Sequence, residues 1–430
     1  MQTKQNKNSL VWFKNDLRIH DNSLLYNAIN NSEEVIAVYC FDPRQFELSP
    51  FGFKKTEKFR AQFLIETITD LKTQLAKLNI QLFTYVDYPE TCIASLNKTF
   101  GFDVIYFQKE WTQEEVDSTN KVINTLPKTI SVNSAYNQFL YHPNDINIDI
   151  NNIPQVFTDF RKKVEKYSKV RPETETISAK KENFNIKNNT EIPSIETLGF
   201  TSFKTHPNTD FPFKGGETEA LKRLNHYFFE TKKLGFYKKT RNGLIGTDFS
   251  SKFSPWLANG SLSAKRIYWE VKRFEKEHLK NDSTYWLIFE LIWRDYFKYV
   301  SIKHGNQIFK LEGILEKAYD WSTNKNKINN WIHGTTGEPF VDANMIELKK
   351  TGWMSNRGRQ NVASYFAKEL ELDWRIGASY FESLLIDYDV HSNYGNWVYV
   401  SGVGNDPRNR KFHLKQNRTQ ISKKVEQLLG

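Results

Sequence analysis

The order of hydrophobic and polar positions divides the chain into two unlike halves. In the first 135 residues, short apolar runs typical of buried strands alternate with segments of helical spacing. The strand-like runs are Leu10–Phe13, Val35–Phe41, Ile80–Tyr85 and Val104–Phe107, and the helical segments are Lys55–Leu78, Pro89–Lys98 and Gln113–Thr125. This alternation predicts an α/β domain with a parallel, Rossmann-like sheet. Ligands of such sheets bind beyond the carboxyl ends of the strands, where Lys14–Asp21 and Gln108–Thr112 lie.

From Gly215 onwards the apolar spacing is almost wholly helical. It predicts helices over Glu217–Glu230, Ala264–Lys276, Tyr285–Ser301, Asp342–Lys350 and Arg359–Glu369. Between the halves, Asn, Thr, Lys and Pro dominate, and only Val156–Tyr167 is clearly amphipathic. We therefore expect an α/β domain at 8–135, a connector at 136–213, an all-helical domain at 214–412 and a basic tail at 413–430.

Composition narrows the functional classes. The net charge of +10 and the pI of about 9.1 favour a polyanionic partner. Only Cys40 and Cys92 are cysteines, which argues against a disulfide framework and predicts a reducing compartment, the cytoplasm. No apolar run reaches the roughly 18 residues of a membrane span. The histidines show no H-x-x-x-H pair, so we expect no metal site.

One predicted helix carries an unusual mixture of side chains on a single face. Trp286, Glu290, Trp293 and Arg294 follow helical spacing, together with Phe297. Charged groups are rarely buried without a partner. The face is therefore either a Glu–Arg pair beside core aromatics or the wall of a ligand cavity.

Three further segments combine polar groups in a small space. Asn356, Arg359, Gln360 and Ala363 share a helix face. The segment Asp387–Trp397 contains two acids and an Asn, but its spacing does not match a calcium loop. The hydroxyls of Ser250, Ser251 and Ser254 precede a helix, where they either cap it or bind a pyrophosphate.

These segments resemble the photolyase–cryptochrome family, and its cryptochrome DASH branch most closely. The resemblance is carried by YKKTRNGLIGTD (237–248), NRGRQNVAS (356–364) and SNYGNW (392–397), and it extends from Leu10 to about Phe412. It implies an antenna-binding α/β domain followed by a helical domain that holds FAD in a folded form.

The resemblance also implies a role for individual residues around the flavin. The phosphates and ribitol would contact Tyr237, Ser250, Ser251, Phe253 and Ser254, and the ring pocket would include Trp286, Arg294 and Asn356. Arg359 and Asp387 would pair beside the ring, with Asp389 nearby and Asn393 facing flavin N5. Trp397, Trp374 and Trp321 match the family's three-tryptophan electron relay to photoexcited flavin.

The substrate implied by the resemblance is a cyclobutane pyrimidine dimer, repaired by electron donation from light-excited reduced flavin. Glu290 and Asn356 would hydrogen-bond the dimer, with Trp293 packed against it. Arg241, Arg357 and Arg410 would hold the flanking phosphates. Gln360 and Tyr399 stand where duplex-repairing enzymes have Met and Trp. Because flipping a base from a duplex costs more than from a single strand, the weaker pocket predicts preference for single-stranded DNA.

Gln360 also stands where the (6-4) photolyases have a histidine. We therefore do not expect (6-4) repair. Glu110 matches the acid that binds a methenyltetrahydrofolate antenna in this branch, although it also suits the start of a helix. The alternative function is a blue-light photoreceptor or DNA-binding regulator without significant duplex repair. The chain has only a short basic stretch after Phe412, which favours repair over signalling through a tail. We expect a monomer.

Overall fold

A five-stranded parallel sheet forms the first half of the protein. The computed structural model describes residues 6–406, 408 and 411. The strands are β1 (Asn6–Trp12), β2 (Ser32–Cys40), β3 (Leu82–Tyr85), β4 (Val104–Gln108) and β5 (Ser131–Ala135), in the order β3-β2-β1-β4-β5. The parallel, Rossmann-like architecture predicted from the alternating pattern is thereby confirmed.

Helices cover both faces of this sheet. They are α1 (Ser23–Asn31), α2 (Lys58–Lys77), α3 (Pro89–Phe100) and α4 (Gln113–Thr125). Alternate residues of a strand point to opposite faces. Val11, Val35 and Ala37 accordingly pack in one hydrophobic layer, while Leu10 and Ile36 pack in the other. Burial on both faces explains why these strands appear as continuous apolar runs.

The segment between the halves wraps around the protein rather than forming a compact unit of its own. It contains α5 (Phe157–Tyr167), and its later part covers the outer edge of β3. Asn188 Nδ2 donates to Leu82 O at 2.7 Å, and Thr84 N donates to Thr190 Oγ1 at 2.9 Å. These bonds occupy an edge that would otherwise be free to pair with another chain.

The second half is helical, as the spacing predicts. Its helices are α6 (Glu217–Asn225), α7 (Tyr237–Thr240), α8 (Ser254–Ala258), α9 (Ala264–Glu277), α10 (Asp282–His304), α11 (Lys325–His333), α12 (Pro339–Thr351), α13 (Asn356–Ser364), α14 (Trp374–Leu384) and α15 (Val390–Ser401). Short π-helical turns extend α6 and α13, at His226–Glu230 and Tyr365–Glu369. The long α10 lies at the centre and packs against α7, α9 and α15.

The loop after β1 ties the two halves together. Arg18 is almost fully buried, and its guanidinium donates to four backbone carbonyls, those of His20, Asp21, Asn137 and Gly260. The carboxylate of Glu217, at the start of α6, accepts from Ile19 N and His20 N. One loop therefore connects the sheet, the connector and the helical half through satisfied buried groups.

Candidate functional site

A small cavity is lined on one side by Arg359, Asp387 and Asn393. We name these three residues the polar floor. Arg359 Nη2 lies 2.9 Å from Asp387 Oδ1, and the Asp387 side chain is only 2% exposed. Asn393 Nδ2 donates to Ala378 O at 3.0 Å, which leaves its Oδ1 available as an acceptor. Other wall residues include Asn356, Gln360, Ala363 and Trp397. The predicted shared face of α13 is therefore confirmed.

Helix caps fix the position of this floor. Ser355 caps α13 by accepting from Gly358 N at 3.1 Å, and Asp389 caps α15 by accepting from Ser392 N at 2.7 Å. Arg359 and Asn393 consequently stand in the first turns of their helices. A Cβ on Gly358 would lie 2.3 Å from Asn344 Oδ1, so this glycine allows α13 to approach α12 closely.

Asp389 carries a second buried charge pair beside the floor. Its Oδ2 lies 3.0 Å from Lys298 Nζ, and both side chains are nearly inaccessible. Burial by itself would raise the pKa of Asp389, but the positive Lys298, with smaller effects from His391 and Arg294, lowers that pKa far below its usual range. Asp389 is therefore negatively charged near neutral pH.

The loop before α8 is held by a single arginine. Arg223 donates to the carbonyl oxygens of Thr247, Ser250 and Ser251 and pairs with Asp248 at 2.7 Å. Lys252 in this loop has φ of 61° and lies over the Trp353 ring. Ser250, Ser251, Phe253 and Ser254 therefore occupy a loop whose shape is defined by the protein itself.

Trp286, Glu290 and Trp293, here named the acid–aromatic wall, share one side of α10, as their spacing predicts. Glu290 Oε1 lies 2.6 Å from Arg241 Nη1, and these side chains are 28% and 20% exposed. The Arg241 guanidinium also lies 5.4 Å from the Trp286 ring centre. Burial raises the pKa of Glu290, with Arg241 opposing that shift. Arg241, not Arg294, is thus the partner of this acid.

The sequence pattern left open a Glu290–Arg294 pair, and the structure shows a different arrangement. Arg294 donates to Gln138 O at 2.6 Å and to Leu257 O at 2.9 Å. Its side chain therefore connects α10 to the connector and to α8 and does not pair with Glu290.

A second guanidinium stands close to Arg241. Burial and the neighbouring Arg241 charge lower the pKa of Arg357. Two guanidiniums near each other, of which only Arg241 is paired with Glu290, leave a positive excess that favours an anion such as phosphate. Arg410, also predicted to bind phosphate, and the tail at 413–430 lie outside the described residues.

Trp293 is packed more closely than a free aromatic wall requires. Phe157 of α5 stacks on it, with 3.7 Å between ring centres, and Tyr399 meets it edge-on at 5.8 Å. Phe157 therefore covers one face of the indole. Tyr399 belongs to α15, the helix that also carries Asn393, so α15 connects the wall to the floor.

The three predicted relay tryptophans lie in one continuous region. Trp397 and Trp374 are buried, and a Cβ on Gly377, one turn after Trp374, would meet Trp397 Cη2 at 2.3 Å. Trp321 is held next to the start of α14 by two backbone hydrogen bonds. Ser322 N donates to Glu371 O at 2.7 Å, and Asp373 N donates to Ser322 O at 3.0 Å. Trp397 lines the small cavity of the polar floor, Trp374 is fully buried, and Trp321 is only partly buried.

A large cleft lies between the carboxyl edge of the sheet and the helical half. Its volume is about 740 Å³, within the range of sites for small planar ligands. Glu110 faces it and accepts from Asn15 Nδ2 at 2.9 Å. Burial, and then the nearby Glu110, raises the pKa of Glu115 to about 7. The cleft therefore combines carboxyl groups with aromatic side chains, among them Tyr39, Phe51 and Phe309.

Comparison with known proteins agrees with this geometry. Residues 9–179 match the family model described as DNA photolyase, and residues 286–427 match the FAD binding domain of DNA photolyase. A cryptochrome DASH of Gloeobacter violaceus is 46% identical over 415 residues, covering 96% of this chain and 83% of the relative. A cryptochrome DASH of Danio rerio is also 46% identical, covering 93% and 78%.

The chain belongs to the cryptochrome DASH family.

Solved structures agree with this assignment. A cryptochrome from Synechocystis superposes with a TM-score of 0.92 at 43% identity, covering 99% of this chain and 89% of that one. A class III photolyase from Agrobacterium tumefaciens, at 23% identity and a TM-score of 0.82, shares the fold. Within residues 6–406, no helix of this cryptochrome DASH is long and apolar enough to cross a membrane.

The polar floor suits the FAD that this family's domain binds. Asp387 Oδ1, despite its ion pair, and Trp397 Nε1 are both buried and make no hydrogen bond within the described part of the chain. A flavin ring offers an imide N–H donor and carbonyl acceptors, which complement such groups. The cavity at the floor measures about 80 Å³, so a three-ring ligand enters only when neighbouring side chains move apart.

Some contributing residues had no clear signal in the sequence. Arg223 and Lys298 look like solvated helix charges, and Phe157 lies in the amphipathic segment of the connector with nothing to indicate its partner. Each acquires its role through a partner distant in sequence: the loop at 247–251, Asp389 and Trp293 respectively. Only covariation with those partners would have identified them.

Proposed function

We propose that this protein repairs cyclobutane pyrimidine dimers in single-stranded DNA, using blue light and reduced FAD. The observation that carries the proposal is the grouping of Glu290, Arg241 and Arg357 at the edge of a photolyase-type FAD domain. Bound FAD would supply the photoexcited electron donor. All other steps are assigned to side chains of the chain itself.

The acid–aromatic wall binds the dimer in this proposal. Carboxyl and amide groups of Glu290 and Asn356 suit the hydrogen-bonding edges of pyrimidines, and indole surfaces suit extruded bases. When DNA binds, Arg241 breaks its ion pair with Glu290 and pairs with a phosphate that flanks the dimer. That exchange is feasible because both partners are partly exposed, at 20% and 28%.

The preference for single strands depends on Gln360 and Tyr399. An amide and a phenol offer less apolar contact to a flipped dimer than the Met and Trp of duplex-repairing relatives. Extruding bases from a duplex costs a few kcal/mol more than capturing them from a single strand. A pocket with weaker packing therefore retains single-stranded substrates and loses duplex ones.

Trp397, Trp374 and Trp321 form the path by which electrons reach oxidised flavin in this proposal. Trp397 at the floor cavity, the fully buried Trp374 and the partly exposed Trp321 support a route from the surface to the polar floor. The same path would also serve a light receptor, which is the alternative function. A receptor or regulator would show flavin photoreduction and bind DNA without repairing dimers.

We also propose a methenyltetrahydrofolate antenna in the cleft beside Glu110. The cleft volume, the aromatic side chains and the partly buried carboxyl groups support a planar heterocycle that donates hydrogen bonds. We further propose that the protein is cytoplasmic and monomeric. Cys40 and Cys92 are both buried and unbridged, which suits a reducing compartment.

The deciding experiment compares dimer repair under blue light in matched single-stranded and duplex oligonucleotides. We expect repair of single strands and a much lower rate on duplexes. Glu290→Gln should lower single-strand repair at least about tenfold, since a hydrogen bond to a charged group contributes about 1.5–3 kcal/mol. Glu165→Gln, on an exposed part of α5, is the control. Equal repair of both substrates would contradict the strand preference, and no repair of either would favour the receptor alternative.

A further inference from the structure

Tyr319 stands immediately outside the last tryptophan of the relay. Its ring centre lies 5.5 Å from that of Trp321, edge-on at 63°. Trp321 N donates to Tyr319 O at 2.9 Å, which fixes the two residues in one tight turn. Tyr319 is 40% exposed, whereas Trp321 is more buried. The outermost aromatic ring of this path is therefore a tyrosine.

The indole N–H of Trp321 has no proton acceptor among the described residues. Trp321 Nε1 is buried and has no hydrogen-bond partner among the described residues. A tryptophan that loses an electron becomes a strong acid, and loss of the indole proton would trap the radical there. Without an acceptor or solvent at Nε1, Trp321 remains a radical cation and a strong oxidant.

Tyr319 offers the proton route that Trp321 lacks. The Tyr319 residue is 40% exposed, and its hydroxyl donates a long, partly buried hydrogen bond to Gly402 O at 3.5 Å, so a proton can leave towards solvent. An oxidised phenol is very acidic. At neutral pH it therefore loses its proton to water almost completely. The electron gap is short, since the two rings are in near contact.

We propose that Tyr319 is the terminal electron donor of the relay. After photoexcited oxidised flavin has drawn an electron through Trp397 and Trp374, one electron passes from Tyr319 to the Trp321 radical cation. One proton passes from the Tyr319 hydroxyl to water, which leaves neutral Trp321 and a neutral tyrosyl radical. This inference rests on the relay assigned under the proposed function and adds a fourth, proton-releasing member.

A second tyrosine is a weaker candidate for the same role. Tyr394 lies 6.3 Å from the middle tryptophan, Trp374, with its hydroxyl bonded to Glu382. Burial raises the pKa of Tyr394, and the hydroxyl is shielded from bulk water. A radical formed there would stay close to the flavin and regain its electron quickly. Tyr394→Phe therefore serves as the rival arm of the test.

The test is flash photolysis of the purified, FAD-loaded protein without DNA, followed by transient absorption and electron paramagnetic resonance. We expect a tyrosyl radical in the wild type and its loss in Tyr319→Phe. In that variant a tryptophan radical remains and regains its electron from the reduced flavin faster. Tyr88→Phe, which changes an equally exposed tyrosine residue (40%) in the α/β half, should leave the tyrosyl signal unchanged. Flavin content and melting temperature of each variant check that it is folded.

The possible outcomes separate this inference from the relay itself. If Trp397→Phe does not abolish photoreduction, the relay assignment fails. If the relay operates but Tyr319→Phe and the wild type show the same radicals and decay rates, only the role of Tyr319 is overturned. Loss of the tyrosyl signal in Tyr394→Phe with retention in Tyr319→Phe would also overturn it.

Discussion

The polar floor and the acid–aromatic wall both consist of acids, arginines and aromatic rings, but they differ in burial. The floor acid Asp387 is 2% exposed, and neighbouring Asp389 pairs with a buried lysine. The wall acid Glu290 is 28% exposed and pairs with a partly exposed arginine. Fixed buried charges suit a resident cofactor, since the charged groups themselves are already oriented when neighbouring side chains move apart to admit it. Exchangeable surface pairs suit a substrate that must arrive and leave.

The largest expected effect lies in the floor. Asp387→Asn leaves the Arg359 charge without its counter-ion and replaces an acceptor with a neutral amide. Hydrogen bonds to charged groups contribute about 1.5–3 kcal/mol, so FAD should bind about ten- to a hundredfold more weakly. Fluorescence titration of FAD into the apoprotein measures this change.

Asp42→Asn is the matched control for that measurement. Asp42 also pairs with an arginine, Arg44, at 2.6 Å. These two side chains are 9% and 24% exposed, which is similar to the exposures of Asp387 and Arg359 in the floor pair. It lies in the α/β half, so FAD affinity should be unchanged. If both variants lose FAD equally, general destabilisation rather than floor chemistry is the cause.

The wall should show a smaller effect that depends on salt. Arg241→Gln removes one phosphate contact, so single-stranded DNA should bind severalfold more weakly. The slope of log K against log salt concentration should fall by about 0.7. Anisotropy titrations at several salt concentrations test this, with Arg44→Gln as the paired-arginine control. An unchanged slope would remove Arg241 from the DNA contact surface.

The smallest expected effect is a pH dependence confined to the wall. Because the pKa of Glu290 is raised, the protonated fraction of Glu290 grows as pH falls from neutrality towards that pKa. Protonation releases Arg241, and since an exposed ion pair is worth up to about 1 kcal/mol, undamaged single strands should bind up to about fivefold more tightly. The low pKa of Asp389 keeps the carboxylate beside the floor charged, so flavin absorbance should stay constant over the same range. Glu290→Gln should abolish the pH dependence of DNA binding, and its persistence would assign the dependence to another group.

The strands and helices with strong periodicity were predictable, and those without it were not. α10 was expected at Tyr285–Ser301 and extends over Asp282–His304. β5 gave no signal, because Ser131–Ala135 is an exposed edge strand without an apolar run and is held by pairing with β4. α1 was also missed, although Asn22 caps it. The hydrophobic pattern of a segment indicates which of its residues are buried. It does not reveal a strand or helix that is stabilised mainly by contacts with neighbouring elements.

The candidate site divides in the same way. The shared face of Asn356, Arg359 and Gln360 followed from helix geometry alone. The partner of Glu290 did not, since two arginines were available and the choice depends on where the loop carrying Arg241 meets α10. Phe157 over Trp293 likewise depends on the path of the connector. Contacts between distant segments are properties of the tertiary fold, which periodicity does not contain.

The buried guanidinium of Arg18 has a consequence for light capture. It joins carbonyls from the sheet half, the connector and the helical half through one planar group, so the two halves cannot swivel without breaking several buried hydrogen bonds. Excitation transfer between two pigments depends on the angle between their transition dipoles as well as on distance. Any pigment held in the cleft and any flavin held at the floor would keep a constant mutual orientation, so the transfer efficiency would be set by the fold and not averaged by domain motion.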